Sequence, residues 1–499
     1  MGQKLDSPGN RSSMVRLGSW PLSLTQVGQK MGILGWMVLV SSLVLFCASS
    51  FRHLVYQSTA YDLGYFDQAL YLLSQGLPPV VSFWGFHFMG GHADWILYFV
   101  AFLYKIQPSV YWLFGLQAVS LSMGAVPVWH LGRRAGLKES QAIAIAFAYL
   151  LYPLIFNLNL FDFHPEVMAL PLMLVAILMA QTDHIGWFVG CLVLILGCRD
   201  ALSLTVAAMG LWLLLFEKKR ICGAIALFMG SAWFVIVTQV VIPQFRPGGV
   251  EAVPRYGYLG SSIAEILLNL ILKPQLVLGG LLTLANLGYL CLLILPLGWG
   301  LFVRGRFLRE HPWQSWRHLF PLVGALPTLA MNLLTTVETQ KDLIHQYSLP
   351  AVSFLIMAVI YGVASGTALV LSRRGIVVCA CIGFILLSKI GYFWFRYLRA
   401  MDTWTATSSA IAQIQPSDKV LTTPWIAPHL THRLFLRLAI LGSEAIDLKQ
   451  FDSVLLNVRH PGWNSNPELL QGLVARLQKE PQFKLHYQQD DVFLFTRQS

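Results

Sequence analysis

Long apolar runs recur along this chain from residue 31 to residue 394, and no other feature constrains its fold as tightly. A helix needs roughly 20 apolar residues to cross the hydrocarbon core of a bilayer. Eleven segments are candidates: 31–51, 110–131, 139–157, 166–181, 185–199, 201–216, 221–242, 276–302, 319–337, 348–370 and 375–394. Composition agrees. Soluble proteins carry about a quarter of their residues as Asp, Glu, Lys and Arg, whereas this chain of 499 residues carries 12%. It is 56% hydrophobic, with a mean hydropathy of +0.60. So little charge does not cover the surface of soluble domains. The expected fold class is a membrane all-α polytopic bundle of about 11 transmembrane helices.

An odd number of spans puts the chain ends on opposite sides. With the N-terminus inside, the cytoplasmic segments hold 16 cations: Lys4, Arg11, Arg16, Lys30, Arg133, Arg134, Lys138, Lys218, Lys219, Arg220, Arg304, Arg306, Arg309, Arg317, Arg373 and Arg374. The outer segments before residue 389 hold 7: Arg52, Lys105, Arg199, Arg246, Arg255, Lys273 and Lys341. This imbalance follows the positive-inside rule. The net charge of +11 is therefore divided by side and is not one basic surface, which removes nucleic acid as a partner. Residues 1–30 read as a cytoplasmic tail. The run 31–51 is too long for the apolar core of a cleaved signal peptide and reads as a retained anchor. All seven cysteines fall in apolar runs, which argues against a disulfide framework or a Cys-based zinc site.

Two placements are less regular. Segment 94–106 is apolar but short and reads as an interfacial or re-entrant helix within a large first outer loop, 52–109. Segments 185–199 and 201–216 are short enough for a shallow hairpin. The polytopic domain ends near residue 394, and residues 395–499 read as a small extracytoplasmic α/β domain. Its strand-like runs are 419–422, 433–438, 451–458, 483–487 and 492–496, and its helix begins at Asn466, with Pro467 in the first turn.

Acidic residues gather on the outer side, several among aromatics and histidines. The first loop contains Tyr61-Asp62-Leu63-Gly64-Tyr65-Phe66-Asp67-Gln68, and further on Gly91-His92-Ala93-Asp94. The second contains Leu160-Phe161-Asp162-Phe163-His164-Pro165-Glu166. Later come His345-Gln346-Tyr347-Ser348 and Ala427-Pro428-His429-Leu430-Thr431-His432-Arg433. Each acid alone is adequately explained as a helix cap or interface anchor. Together they can supply a general base, bind a divalent cation or hold sugar hydroxyls. Asp162-x-His164-x-Glu166 has the residue types of a metal site, but no companion ligand spacing accompanies it, so metal and cofactor stay unassigned.

These motifs resemble an uncharacterised prokaryotic membrane-protein family, domain of unknown function 2079, from about residue 50 to the end. That family is similar to the C-type (GT-C) glycosyltransferases, polytopic enzymes that use lipid-phosphate-linked sugars. The resemblance implies a GT-C-like bundle in the cytoplasmic (inner) membrane of a prokaryote, N-terminus inside and C-terminus outside. It implies a catalytic Asp in the first large outer loop, here Asp62 or Asp67, and a second acid in the next, here Asp162. Its implied partners are membrane lipid, a polyprenyl-phosphate-linked sugar donor and an unidentified acceptor. Two departures stand out. The family has Gly-Asp-His where this chain has Gly91-His92-Ala93, and Lys-Glu-Asp where it has Cys198-Arg199-Asp200.

Sugar transfer from such a donor needs a base for the acceptor and cations for the leaving phosphate. Arg199, Arg246, Arg255 and Lys273 are the outer cations available, arginine suiting bidentate contact. His345 and His429 are the histidines expected to meet substrate, with His92, His164, Glu166, Tyr347 and Arg433 completing the expected contacts. His460, in Arg459-His460-Pro461-Gly462-Trp463, reads as the start of a structural turn. The Pro/Gly-rich stretch 243–256 suits either a cover over the site or a plain connector, and 261–272 an amphipathic surface helix. The alternatives are a transporter or lipid-handling protein, and a relative without catalysis. A transporter should carry ionisable residues mid-span and internal repeats, whereas here the spans are nearly free of charge, the acids gather at one face and no repeat is visible, which favours surface chemistry over passage.

Overall fold

The computed structural model describes residues 32–310 and 314–498. The expected cytoplasmic tail and His311 lie outside the described residues. Among the described residues, seven helices are long and apolar enough to cross a membrane: Ile33–Leu54, Tyr111–Arg134, Glu139–Asn159, Arg220–Phe245, Leu284–Leu301, Gln346–Ala364 and Arg373–Ile411. An eighth candidate is broken, Ile263–Leu272 turning by 94° into Pro274–Leu281. Four shorter apolar helices accompany them: Leu97–Ile106, Glu166–Gln181, Ile185–Leu196 and Leu202–Leu215.

Of the expected eleven spans, seven correspond to these full-length helices, 166–181, 185–199 and 201–216 to short ones, and 319–337 to neither. The run 319–337 differs most. It is a 3-10 helix, Arg317–Ala325, followed by an α-helix, Leu326–Leu334. Pro321 and Pro327 remove two backbone donors there, and Gly324 lies so close to the Phe354 ring that an added Cβ would sit 2.1 Å from it. The run 276–302 is split because Thr283 caps a new helix, its hydroxyl accepting from the Asn286 amide. Segment 261–272 is the capped helix Ile263–Leu272, with Leu267, Leu268, Ile271 and Leu272 exposed.

The tightest helix pair joins Leu202–Leu215 to Arg220–Ile236. A Cβ on Gly210 would meet the Leu227 amide nitrogen at 2.4 Å, and one on Gly230 would meet that of Ala207 at 2.5 Å. Glycine alone permits backbones so close, the usual device where lipid removes the hydrophobic drive between helices.

The last long helix breaks at Ser388–Lys389. Asn157 bridges the break, donating to the Leu387 carbonyl at 3.2 Å and accepting from the Lys389 amide at 2.8 Å. Beyond it, Ile390–Arg399 and Trp404–Ile411 lead into a C-terminal α/β region. Two short strands, β1 (Val80–Val81) and β2 (Phe86–His87), form a hairpin in the first loop. The C-terminal region holds β3 (Val420–Thr422), β4 (Leu436–Leu438), β5 (Ser453–Asn457), β6 (Phe483–Gln489) and β7 (Val492–Arg497), in the order β4-β3-β5-β7-β6. The β3 pairings are parallel and the β7 pairings antiparallel. All five strands fall on the runs expected from sequence. The helix Pro467–Lys479 is capped by Asn466 as expected, its side chain accepting from the Leu469 amide.

One face of this sheet packs on Pro467–Lys479 through Leu470, Leu473 and Leu477. The other covers Ala406, Ala410 and, from the first loop, Ala60 and Tyr61. The sheet region is thus bolted onto the first loop. The Ala60 amide donates to the Pro424 carbonyl at 2.9 Å, and Ser82 Oγ donates to the Leu436 carbonyl and accepts from its amide.

Candidate functional site

A cavity of about 520 Å³ lies where the first loop, the ends of the membrane helices and the C-terminal region meet. Its lining includes Asp62, His92, His164, Arg199, Arg255, His345 and Tyr347 from the expected set. It also includes Arg52, Arg396, Glu251, Tyr61, Trp84 and Trp463, which sequence reasoning had not placed in a site.

Asp62 lies in a π-helical turn, Ala60–Gly64, which leads into the helix Tyr65–Ser74. Such turns re-aim side chains and recur at functional sites. Its Oδ1 is 3.2 Å from His164 Nε2, and its Oδ2 accepts from the Thr59 hydroxyl at 3.1 Å. The carboxylate is 23% exposed, toward the cavity. Burial by itself would raise the Asp62 pKa, but the hydrogen bond and charge of His164, then Thr59 and Arg52, bring it below the usual value. His164 moves the opposite way, its burial outweighed by Asp62, which raises its pKa. The two behave as an ion pair.

Asp162 is close by but faces away from the cavity. It receives both Arg52 nitrogens, Nη1 at 2.7 Å and Nη2 at 3.1 Å, and the Thr59 amide at 2.9 Å. Burial pushes it up to about 6, against the pull of Arg52. Asp162 therefore fixes Arg52 and the segment that carries Asp62. Asp67 is more remote. It is 2% exposed and accepts from the Tyr104 hydroxyl at 2.6 Å, from the Thr431 hydroxyl and from His432 Nε2 at 3.2 Å. It joins the first loop to the C-terminal region.

Arg199 is ringed by acids. It pairs with Glu166, meets His92 Nε2 through Nη2 at 2.8 Å, and has Asp200 4.0 Å from Nε. His92 Nδ1 is 3.2 Å from Asp200. Burial tends to lower the Arg199 pKa, but Glu166 and Asp200 raise it further, while burial beside Glu166 drives Asp94 well above the carboxylate range. His92 and Arg199, the two departures from the family pattern, are thus in direct contact.

Arg246 does not line the cavity. It pairs with Glu251 at 2.8 Å and covers Phe86. Arg255 lines it, 3.7 Å from Glu251 and over the Tyr347 ring. His345 is held by Asp342 at 2.8 Å with its ring edge on Phe161. His429 is no cavity residue: it stacks on His53 at 3.9 Å and meets the His53 carbonyl through Nε2 at 3.0 Å, and burial drops its pKa to about 4. Arg433 is buried and donates to the carbonyls of Leu430 and Asp418, stitching a loop of the C-terminal region. His460, as expected, is structural, its Nε2 2.6 Å from Asp402.

Arg396 occupies a special position. It donates to Gln57 Oε1 at 3.1 Å, lies over Trp425, and among the described residues has no carboxylate within ion-pair distance. Its helix exposes Tyr392, Trp394, Phe395 and Leu398. Its signal in the sequence is an arginine set among Tyr392, Phe393, Trp394, Phe395 and Tyr397.

Among the described residues no cluster of three or more His, Cys, Asp or Glu could hold a metal ion. Asp162, His164 and Glu166 turn to three separate partners, Arg52, Asp62 and Arg199.

No curated protein matches the sequence. Among solved structures, the chain is similar to "ArnT from Cupriavidus metallidurans bound to Undecaprenyl phosphate", at a TM-score of 0.54 and 11% identity, covering 93% of this chain and 98% of that one. It is similar to the same protein in the apo state at a TM-score of 0.55 and 11% identity, covering 94% of this chain and 98% of that one. ArnT is a GT-C glycosyltransferase, so the expected resemblance stands at the level of fold. A family model described as "Predicted membrane protein (DUF2079)" matches residues 52–494, nearly the whole chain, and the chain belongs to that family.

Proposed function

We propose that this membrane protein transfers a sugar from a polyprenyl-phosphate-linked donor to an acceptor at the outer face of a prokaryotic cytoplasmic membrane. In this reading the N-terminus lies inside, and residues 395–499 lie outside over the site. The observation that carries it is the cavity itself, where two partly exposed carboxylates, Asp62 and Glu251, share the lining with Arg52, Arg199, Arg255 and Arg396, and Glu251 is already engaged by Arg246 and Arg255. An ionised carboxylate beside cations is the arrangement that inverting transfer from a phosphate leaving group needs.

Asp62 is the base. It removes the proton from the acceptor hydroxyl as the oxygen attacks the anomeric carbon and the bond to phosphate breaks. His164 holds its carboxylate ionised and oriented. Arg396 receives the phosphate, because it is the lining arginine without a carboxylate partner among the described residues. The polyprenyl chain then follows the aromatic face of Ile390–Arg399. Arg255 is the second phosphate contact. The similarity of fold to a protein crystallised with undecaprenyl phosphate supports a lipid-linked donor.

The test is transfer of radiolabelled sugar by the full chain in lipid nanodiscs. Asp62→Asn is expected to lose at least about a hundredfold in rate, the scale of general-base catalysis, while still binding undecaprenyl phosphate. Full activity in that variant would remove Asp62 from the chemistry.

A further inference from the structure

The mouth of the cavity carries an aromatic feature that the transfer chemistry does not require. Trp463 is 64% exposed yet belongs to a closely built turn. Arg459 pairs with Asp402 and Asp491, the His460 amide donates to Asn457 Oδ1, and the Asn464 carbonyl accepts from the Leu441 amide. Gly462, at φ +90°, approaches so near that an added Cβ would sit 3.2 Å from the Trp425 nitrogen. The turn therefore holds a large apolar ring in the open by construction. A single exposed apolar side chain is ordinary, but Trp463 lines the cavity together with two further aromatic rings, Tyr61 and Trp84, and Trp and Tyr are enriched where binding energy is concentrated.

The ring is part of a corner. Tyr61 meets Trp463 edge to face, centroids 4.7 Å apart at 89°, and meets Trp84 at 5.9 Å and 78°. Polar groups lie at the same corner: Asn464 Nδ2 is 3.5 Å from the Tyr61 hydroxyl, whereas the indole Nε1 of Trp84 is buried. A flat nucleobase is best gripped between parallel rings. A puckered ring with C–H bonds on one face and hydroxyls around its rim suits perpendicular rings with donors at their edges. The C–H face carries partial positive charge and is drawn to the negative face of an aromatic ring.

We infer that Trp463, Tyr61 and Trp84 form a pyranose-binding subsite, which takes the ring of a sugar presented across from Asp62. The inference rests on the glycosyl-transfer reading for its ligand class, and its test does not depend on turnover. A subsite shared between the first loop and the C-terminal region is complete only while these two are docked.

The experiment is saturation-transfer NMR on the full chain in nanodiscs with methyl hexopyranosides, and adenosine as a flat aromatic control. Protons on one face of the pyranose ring should receive saturation, and adenosine should receive none. Trp463→Ala is expected to weaken glycoside binding about tenfold, the value of an aromatic contact near its upper range, with undecaprenyl phosphate binding unchanged. Trp463→Leu, which keeps apolar bulk without the ring, should behave like Trp463→Ala. Unchanged binding in either variant, absence of any glycoside signal in the wild type, or a Trp463-dependent signal from adenosine alone would overturn the subsite. Adding undecaprenyl-phosphate glucose separates two sources of the ring. If the ring is the donor's, glucose raises affinity over the bare lipid phosphate only while Trp463 is present. If it is the acceptor's, donor affinity is untouched by the substitution and only the free glycoside is weakened. Loss of transfer in Asp62→Asn bears on the reaction, whereas these outcomes bear on the subsite.

Discussion

At the residue scale, three aspartates that look interchangeable in sequence have separate tasks. Asp62 meets the cavity, Asp162 holds Arg52, and Asp67 holds Thr431 and His432. The Asp62–His164 pair makes a pH prediction. His164 contributes most to keeping the partly exposed Asp62 ionised, so His164→Ala leaves desolvation to raise the Asp62 pKa. The acid limb of the transfer profile should then move to higher pH, and a profile that keeps its acid limb would dissociate the pair. Stability follows the same signs. The lowered Asp62 contributes above its unfolded value of 3.8 and loses its contribution as pH falls through the folded value. The raised His164 contributes below 6.5 and loses its contribution as pH rises through its folded value. A second prediction concerns Arg396. Arg396→Ala should weaken undecaprenyl phosphate binding by about tenfold or more, the scale of a charged hydrogen bond, and Arg396→Lys should recover part of it as a point charge. Equal binding by all three proteins in a nanodisc titration would place the phosphate elsewhere. Arg199→Met should instead act on folding, since it strands Glu166 in a buried site while Asp200 keeps His92. A loss of roughly 3–5 kcal/mol is the usual consequence of removing one buried partner, readable in thermal unfolding.

At the element scale, much of the architecture was legible and the exceptions have physical causes. Apolar length alone located the seven full helices, and strand-like runs in the polar C-terminal region fell on all five strands of its sheet. Asn466 followed by Pro467 announced a helix start because both act through local backbone chemistry. The run 319–337 was misjudged because hydropathy does not register where Pro321 and Gly324 push the backbone into a 3-10 path against Phe354. The site was half legible for a related reason. The motifs revealed which polar residues gather near one face, but which of them meets a cavity depends on contacts across more than 100 residues of chain, as between Arg52 and Asp162. Arg396 was hidden because its value lies in having no carboxylate within ion-pair distance among the described residues, which only the folded chain reveals. The glycine contact between Leu202–Leu215 and Arg220–Ile236 gives this scale its prediction. Gly230→Leu must force the helices apart at the Ala207 nitrogen, 2.5 Å from the added Cβ. It should lower the yield of folded protein in detergent, while Gly190→Leu, at a position with open space, should leave it unchanged.

At the scale of the whole molecule, the first loop and the C-terminal region are joined by a cluster around Asp67, Thr431 and His432, with the His53–His429 stack beside it. Burial opposes the charge on His432, but Asp67 raises its pKa, so the joint is strongest in mild acid and loosens as pH rises past that value. Thr431→Val should expose the connection to proteolysis near residue 400 at rates above wild type, with the difference widening from pH 6 to pH 8. Identical digestion patterns would mean that the Asp67 contacts do not hold the joint.

The Asn157 bridge across the break at Ser388–Lys389 has a mechanical consequence. Downstream of it, the helix bearing Arg396 runs without a further long connection into the sheet region that carries Trp463. Asn157 therefore sets the direction in which the chain leaves this break, and Arg396 and Trp463 both lie downstream of that one join.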